Sequence, residues 1–227
     1  MNVYISLDGV LRNTIEKFEY HYNDYYLESD TEVDESFPYG VTTPIKNDNL
    51  LRHFAFQSND EYENFLFIEY PLEIFGHAKP SYPSVFNDLN KLIFDNPDIN
   101  FTIIGLDEKG KARPASLFFL SKNNFLGNNV KFITSDNLKK EWENCDLWIT
   151  DNKKIILTCP INKKIVKFNT AYNDYITTEV QINNLTQIET KWLKFSENIT
   201  LSTLTRLLKP VKQALKLKTM KETKHLK

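Results

Sequence analysis

Two stretches place chemistry-capable side chains at the ends of apolar runs. Ser6-Leu7-Asp8-Gly9 follows "NVYIS", and Asp151-Asn152 closes "DLWIT". A carboxylate fixed at the tip of a buried strand can act as a general acid or base, or hold a hard divalent cation. Ser6 stands two residues before Asp8, where a second carboxylate would complete such a pair. It is neutral at pH 7, and no neighbouring His is there to activate it. A third apolar run ends on Gly105-Leu106-Asp107. The chain has six glycines and neither a GxGxxG nor a Walker-type loop, which excludes Gly-rich phosphate cradles. Cys145 and Cys159 lack metal spacing, and His21, His53 and His77 lack partner spacing and read as structural.

These strand ends need a scaffold. Residues 101–151 alternate strand, helix, strand, helix, strand, beginning with the continuous apolar run "INFTIIG". That alternation predicts a parallel sheet covered by helices. Strands near residues 154–157 and 164–169 are expected to extend it, and "TTEVQIN" reads as a further strand. Upstream, Ile15, Phe18 and Tyr22 recur at helical spacing and predict a helix over residues 12–27. Its aromatic series reads as core, not a stacking platform. An acidic, turn-rich segment follows, then a helix near residues 47–56. Ser58-Asn59-Asp60-Glu61 has the form of a capping box, and Pro71 should end or kink the helix it opens.

The layout of "SLDGVLRNT" and "CDLWITDN" within this βαβ pattern resembles the haloacid dehalogenase-like superfamily, most narrowly its small nucleotidase-type phosphatases. The resemblance runs over residues 2–169. It implies a Rossmann-like three-layer α/β domain at residues 1–27 and 80–175, a cap-like insertion at 28–79 and a C-terminal extension at 176–227. In that family a D-x-D-G motif supplies the nucleophile and the acid–base. A Ser or Thr on the second strand and a Lys grip the phosphoryl group, and further acids complete a magnesium site. By position the resemblance puts the nucleophile on Ser6, the acid–base on Asp8, the second-strand residue on Gly105, the Lys on Lys139 or Lys140, and the metal acids on Asp8 and Asp151. Ser6 and Gly105 both depart from the pattern, so these are expected to be vestigial positions. Loss of a nucleophile alone can cost about 10⁶ in turnover. No cofactor is expected; magnesium is what the family would use, and Ser6 removes one of its anionic ligands.

Composition constrains the partners. The 227 residues carry 28 Lys and Arg against 30 Asp and Glu, a net charge of −2, so bulk electrostatics exclude a general nucleic-acid binder. The start lacks a basic segment with a long apolar run, and no stretch approaches the ~20 apolar residues of a membrane span. A cytoplasmic or virion setting is therefore expected. The C-terminal sequence alternates a stripe of Leu201, Leu204, Leu208, Val211 and Leu215 with Lys209, Lys212 and Lys216, a pattern suited to a partner groove. The acidic run Glu28, Asp30, Glu32, Asp34, Glu35 is its electrostatic complement. Together these predict a structural or protein-interaction module, self-associating or bound to another protein. The Asn-, Lys- and Ile-rich composition would suit a phage virion or assembly component. The alternatives are a divergent magnesium-dependent phosphatase and a nucleic-acid or membrane adaptor working through the tail.

Overall fold

A computed structural model of the chain describes residues 1–28, Phe54 and 56–188. It is organised as one unit at Met1–Leu185 and a second at Thr186–Lys227. The C-terminal stripe of leucines and lysines, the acidic run beyond Glu28 and most of the helix expected near residues 47–56 lie outside the described residues.

In the first unit a six-stranded parallel sheet has the order β5-β4-β1-β6-β7-β8. The strands are β1 (Asn2–Ser6), β4 (Asn100–Leu106), β5 (Val130–Ile133), β6 (Leu147–Thr150), β7 (Lys164–Phe168) and β8 (Gln181–Ile182). A small antiparallel pair joins β2 (Arg12–Asn13) to β3 (Lys79–Pro80). β1 is flanked by β4 and β6, with Ser6 paired to Ile104 and Ile5 to Ile149. This is the α/β, Rossmann-like arrangement expected from the strand–helix alternation. The central strands are apolar on both faces, as covering helices require. Tyr4, Ile104 and Trp148 project to one face and pack on Leu138 and Trp142 of α5 (Leu138–Asn144). Val3 and Ile5 alternate to the other face and are equally buried.

α1 (Thr14–Glu28) buries Phe18 and Tyr22, one turn apart, against Phe54, Phe65 and Phe75. Each such aromatic contributes about 1.5–3 kcal/mol by leaving water. Phe18 and Tyr22 are thus core residues, as expected, whereas Tyr20 of the same aromatic series is exposed. The capping box forms on α2 (Asn59–Asn64), where Ser58 Oγ accepts the Glu61 amide at 3.1 Å and the Glu61 carboxylate accepts the Gln57 amide at 2.6 Å. Beyond it the backbone widens into two π-helical turns, Phe65–Glu69 and Leu72–Gly76, separated at Pro71. Pro71 lacks the amide that would continue the first. α3 (Val85–Asp95) and α4 (Arg113–Lys122) meet through Phe86 and Phe119, 5.6 Å apart.

Two sequence expectations change. Residues 154–157 form no strand: Lys153–Leu157 is a short helix, α6, whose start is capped by Asn152 Oδ1 accepting the Ile155 amide at 3.1 Å. A short apolar run has no resolvable period, so only the cap decides it. And β8, expected from "TTEVQIN", pairs with β7, so the sheet runs past residue 176 into the region assigned to an extension.

The acids ending β4 are structural. Asp107 accepts the backbone amides of Lys111 and Arg113, each at 3.1 Å, and so caps α4. Glu108 accepts the Ser135 amide at 3.0 Å ahead of α5. Asp107→Ala should lower the urea midpoint by the equivalent of about 1–2 kcal/mol, whereas no change would mean α4 is capped otherwise. Among the described residues, no helix is long and apolar enough to cross a membrane.

Candidate functional site

Parallel strands bring every carboxyl end to one edge, the edge where such folds bind ligands. There β1 delivers Ser6 and Asp8, β4 delivers Leu106, and β6 delivers Thr150, Asp151 and Asn152.

Ser6 is buried and fully engaged. Its hydroxyl donates to Thr150 Oγ1 at 2.7 Å and accepts from Trp148 Nε1 at 3.2 Å. Thr150 Oγ1 in turn accepts the Asn152 amide at 3.1 Å. The Ser6 proton therefore goes to another hydroxyl, not to a base. A serine so placed fastens β1 to β6.

Asp8 is held by Arg12. The chain after β1 turns through Gly9, whose φ of 76° is a left-handed conformation, and the Gly9 amide bonds the Arg12 carbonyl at 2.9 Å. This brings the guanidinium back onto the carboxylate: Arg12 Nε reaches Asp8 Oδ1 at 2.7 Å and Nη2 reaches Oδ2 at 3.1 Å. Thr14 also donates its hydroxyl to Asp8 Oδ1. The Arg12 side chain is only 1% exposed against 32% for Asp8. Its remaining nitrogen donates to the Phe75 carbonyl at 3.1 Å and to Ser116 Oγ at 3.0 Å, and its plane lies 4.6 Å from the Phe75 ring centroid. A forked arginine–carboxylate pair is the strongest such geometry.

Asp151 lies against Gly9: a Cβ on Gly9 would stand 1.9 Å from Asp151 Oδ2. The Tyr172 hydroxyl donates to that oxygen, and Asn173 Nδ2 donates to the Asp151 carbonyl at 3.0 Å. Burial first, then the charge of Asp151, pushes the Tyr172 phenol well above its ordinary range, so it remains a proton donor.

The other expected positions are elsewhere. Gly105 faces away from the site: a Cβ there would meet the Phe132 ring at 2.8 Å. The β4 residue at the site is its neighbour Leu106, which has no hydroxyl to grip phosphate. Lys139 and Lys140 are exposed on α5 and are not among the residues gathered at this edge. His77 packs beside Phe118 and His21 beside Tyr70, as structural histidines do. Burial pushes the Cys145 thiol up to about 12, which makes it inert.

A cavity of about 180 Å³ opens over this edge. Asp8, Asp151, Thr14 and Asn152 supply its polar wall; Phe18, Phe67, Phe75 and Leu106 are among its apolar residues. No lysine or arginine lines it among the described residues. Magnesium does not fit this donor set. Ser6 is neutral and bonded, the Asp8 carboxylate is matched by Arg12, Asp151 accepts from Tyr172, and the Asn152 oxygen caps α6. No group of three His, Cys, Asp or Glu able to hold a metal occurs among the described residues.

Sequence reasoning missed Arg12, Thr150 and Tyr172. The available signal was weak: an Arg four residues after Asp8, across a turn instead of along a helix.

No family model matches this chain, and no curated protein does. Solved structures do. A predicted phosphatase from Clostridium acetobutylicum superposes with a TM-score of 0.52 at 15% identity, over 85% of this chain and 98% of that one. A candidate haloacid dehalogenase-like hydrolase from Burkholderia xenovorans gives a TM-score of 0.48 at 10% identity, over 85% and 96%. The likeness to the first is one of fold. The chain shares with that structure the α/β architecture built on a parallel sheet, as the strand–helix alternation of its sequence predicts.

Proposed function

We propose that this chain is a phosphatase-fold domain that no longer transfers phosphoryl groups and works as a structural or protein-interaction module. The observation that carries this reading is the forked pairing of Asp8 with the buried Arg12. The acid–base position is matched internally, next to a nucleophile position occupied by a bonded serine. On this reading the contact with a partner is made by the C-terminal stripe from Leu201 to Leu215 and its lysines, a proposal resting on sequence alone.

The test is hydrolysis of p-nitrophenyl phosphate and nucleoside monophosphates with magnesium. The expected result is trace turnover, far below the ~1 s⁻¹ at the low end of ordinary enzymes. Turnover near ~1 s⁻¹ that Asp8→Asn abolishes would overturn the reading. It would establish instead the second one, a divergent metal-dependent phosphatase. That alternative is favoured by the fold likeness to a predicted phosphatase and by two carboxylates facing one cavity. It requires Asp8 to exchange Arg12 for a metal.

A further inference from the structure

We propose that the crossover from β7 to β8 is a cation-binding loop whose cation is the chain's own Lys167, and that through this loop Lys167 positions Tyr172 on Asp151. This goes beyond the loss of phosphoryl transfer and does not depend on it.

The argument begins with topology. β7 and β8 run parallel, with Lys167 paired to Gln181 and Phe168 to Ile182. A parallel connection ordinarily carries a helix, which satisfies its own carbonyls. Residues 169–180 form no helix, so carbonyls of this segment need donors from elsewhere. Lys167 is one such donor. Its Nζ donates to the Ile176 carbonyl at 2.6 Å and to the Asn173 carbonyl at 3.2 Å.

Burial sharpens the point. The Lys167 residue is only 1% exposed, and lysine is almost never fully buried unless paired. Among the described residues no ion pair joins it to Asp or Glu. An ammonium has donors and no acceptor, so carbonyl dipoles stand here where a counter-charge would. The loop wraps a cation as an ion site does, and the lysine stem delivers that cation.

The same loop reaches the carboxyl edge. Asn173 is buried, and its Nδ2 donates to the Phe168 carbonyl at 2.8 Å as well as to the Asp151 carbonyl. Its Oδ1 accepts the Thr170 amide at 3.0 Å. Between these fixed points Tyr172 meets the Asp151 carboxylate. Without the ammonium the Ile176 carbonyl loses its Lys167 donor, and the Asn173 carbonyl keeps the Ile176 amide at 2.9 Å.

The experiment follows amide exchange in the full-length protein. Lys167→Met keeps an unbranched stem and removes the ammonium. Relative to Ile103, the amides of Thr170, Asn173 and Ile176 should then exchange roughly tenfold faster or more, as loss of hydrogen bonds from a charged donor implies. In the same variant the Tyr172 phenol, raised by burial and then by Asp151, should ionise at a lower pH than in the wild type, read by NMR of its ring. Lys167→Ala should loosen the same amides, and propylammonium, which has the size and charge of the deleted stem and head, should restore them saturably. Tetramethylammonium has the charge without donors and should not, nor should sodium chloride at equal ionic strength. Unchanged exchange ratios in Lys167→Met, or equal recovery with tetramethylammonium, overturns the cation loop. Ionisation of Tyr172 at the wild-type pH overturns its positioning by Lys167. The wild-type chain gives a reading that stands where a variant fails to fold. There the Lys167 ammonium protons should exchange roughly tenfold more slowly or more than those of exposed Lys139, and equal rates overturn the proposal. Phosphate-ester turnover bears on none of these readings, so failure of the one proposal is distinguishable from failure of the other.

Discussion

Arg12→Met should destabilise the protein by about 3–5 kcal/mol, the range for breaking one side of a buried charge pair. Methionine keeps an unbranched apolar stem in the same channel, so lost volume is not the main effect. What is lost is a guanidinium serving three acceptors: the Asp8 carboxylate, the Phe75 carbonyl and Ser116 Oγ. Asp8 keeps the Thr14 hydroxyl, but the Phe75 carbonyl and Ser116 Oγ lose their Arg12 donor, and an orphaned buried acceptor costs about 1–3 kcal/mol. Because Asp8 keeps some solvent access, its share lies at the low end. For a unit of this size the loss corresponds to a melting temperature lower by about 10 °C. Arg12→Lys keeps the charge but not the fork, and should fall between the two. Urea unfolding reads all three. A difference under about 1 kcal/mol for Arg12→Met would mean the pairing does not organise this edge.

Gly9→Ala comes next, at about 2–5 kcal/mol. Part is backbone: a φ of 76° is left-handed and costs an L-residue about 1–2 kcal/mol. The rest is collision, since the new methyl would sit 1.9 Å from Asp151 Oδ2 and 2.0 Å from its Cγ. Asp151 cannot swing aside without leaving Tyr172, and forced repacking of this kind adds about 1–3 kcal/mol. Gly110 is the control. Its φ is 69°, but a Cβ there meets nothing within 4 Å, so Gly110→Ala should show the backbone cost alone. Equal losses for the two alanines in calorimetric melts would show that Asp151 does not pack against Gly9.

The contrast between what was readable and what was not follows from these residues. "NVYIS", "INFTIIG" and "DLWIT" are apolar runs long enough to read as buried strands, and their alternation with helices fixed the sheet's character. "KKIIL" is equally apolar and became a helix, because the decisive feature was one oxygen on Asn152. The strand ends were legible as positions and not as roles. Shifting the assumed second-strand residue by one, from Gly105 to Leu106, moves it from one face of the sheet to the other. Arg12 in "VLRNT" has no periodic signature of burial. Charged residues are seldom buried unless paired, and its partner is brought to it by a turn and not by helical spacing. Tyr172 lies 21 residues from Asp151, beyond any local pattern.

The bond from Arg12 to the Phe75 carbonyl carries a consequence for motion. Through it the second π-helical turn is bolted to the β1 turn, and through Ser116 to α4 as well. Segments roofing a ligand site ordinarily exchange their amide hydrogens sooner than the sheet beneath, because they open in small local steps. Here opening residues 72–76 would strip a buried guanidinium of one of its acceptors, the Phe75 carbonyl. Their amides should instead exchange on the same slow clock as Ile5 and Ile103, as one cooperative unit with the centre of the sheet.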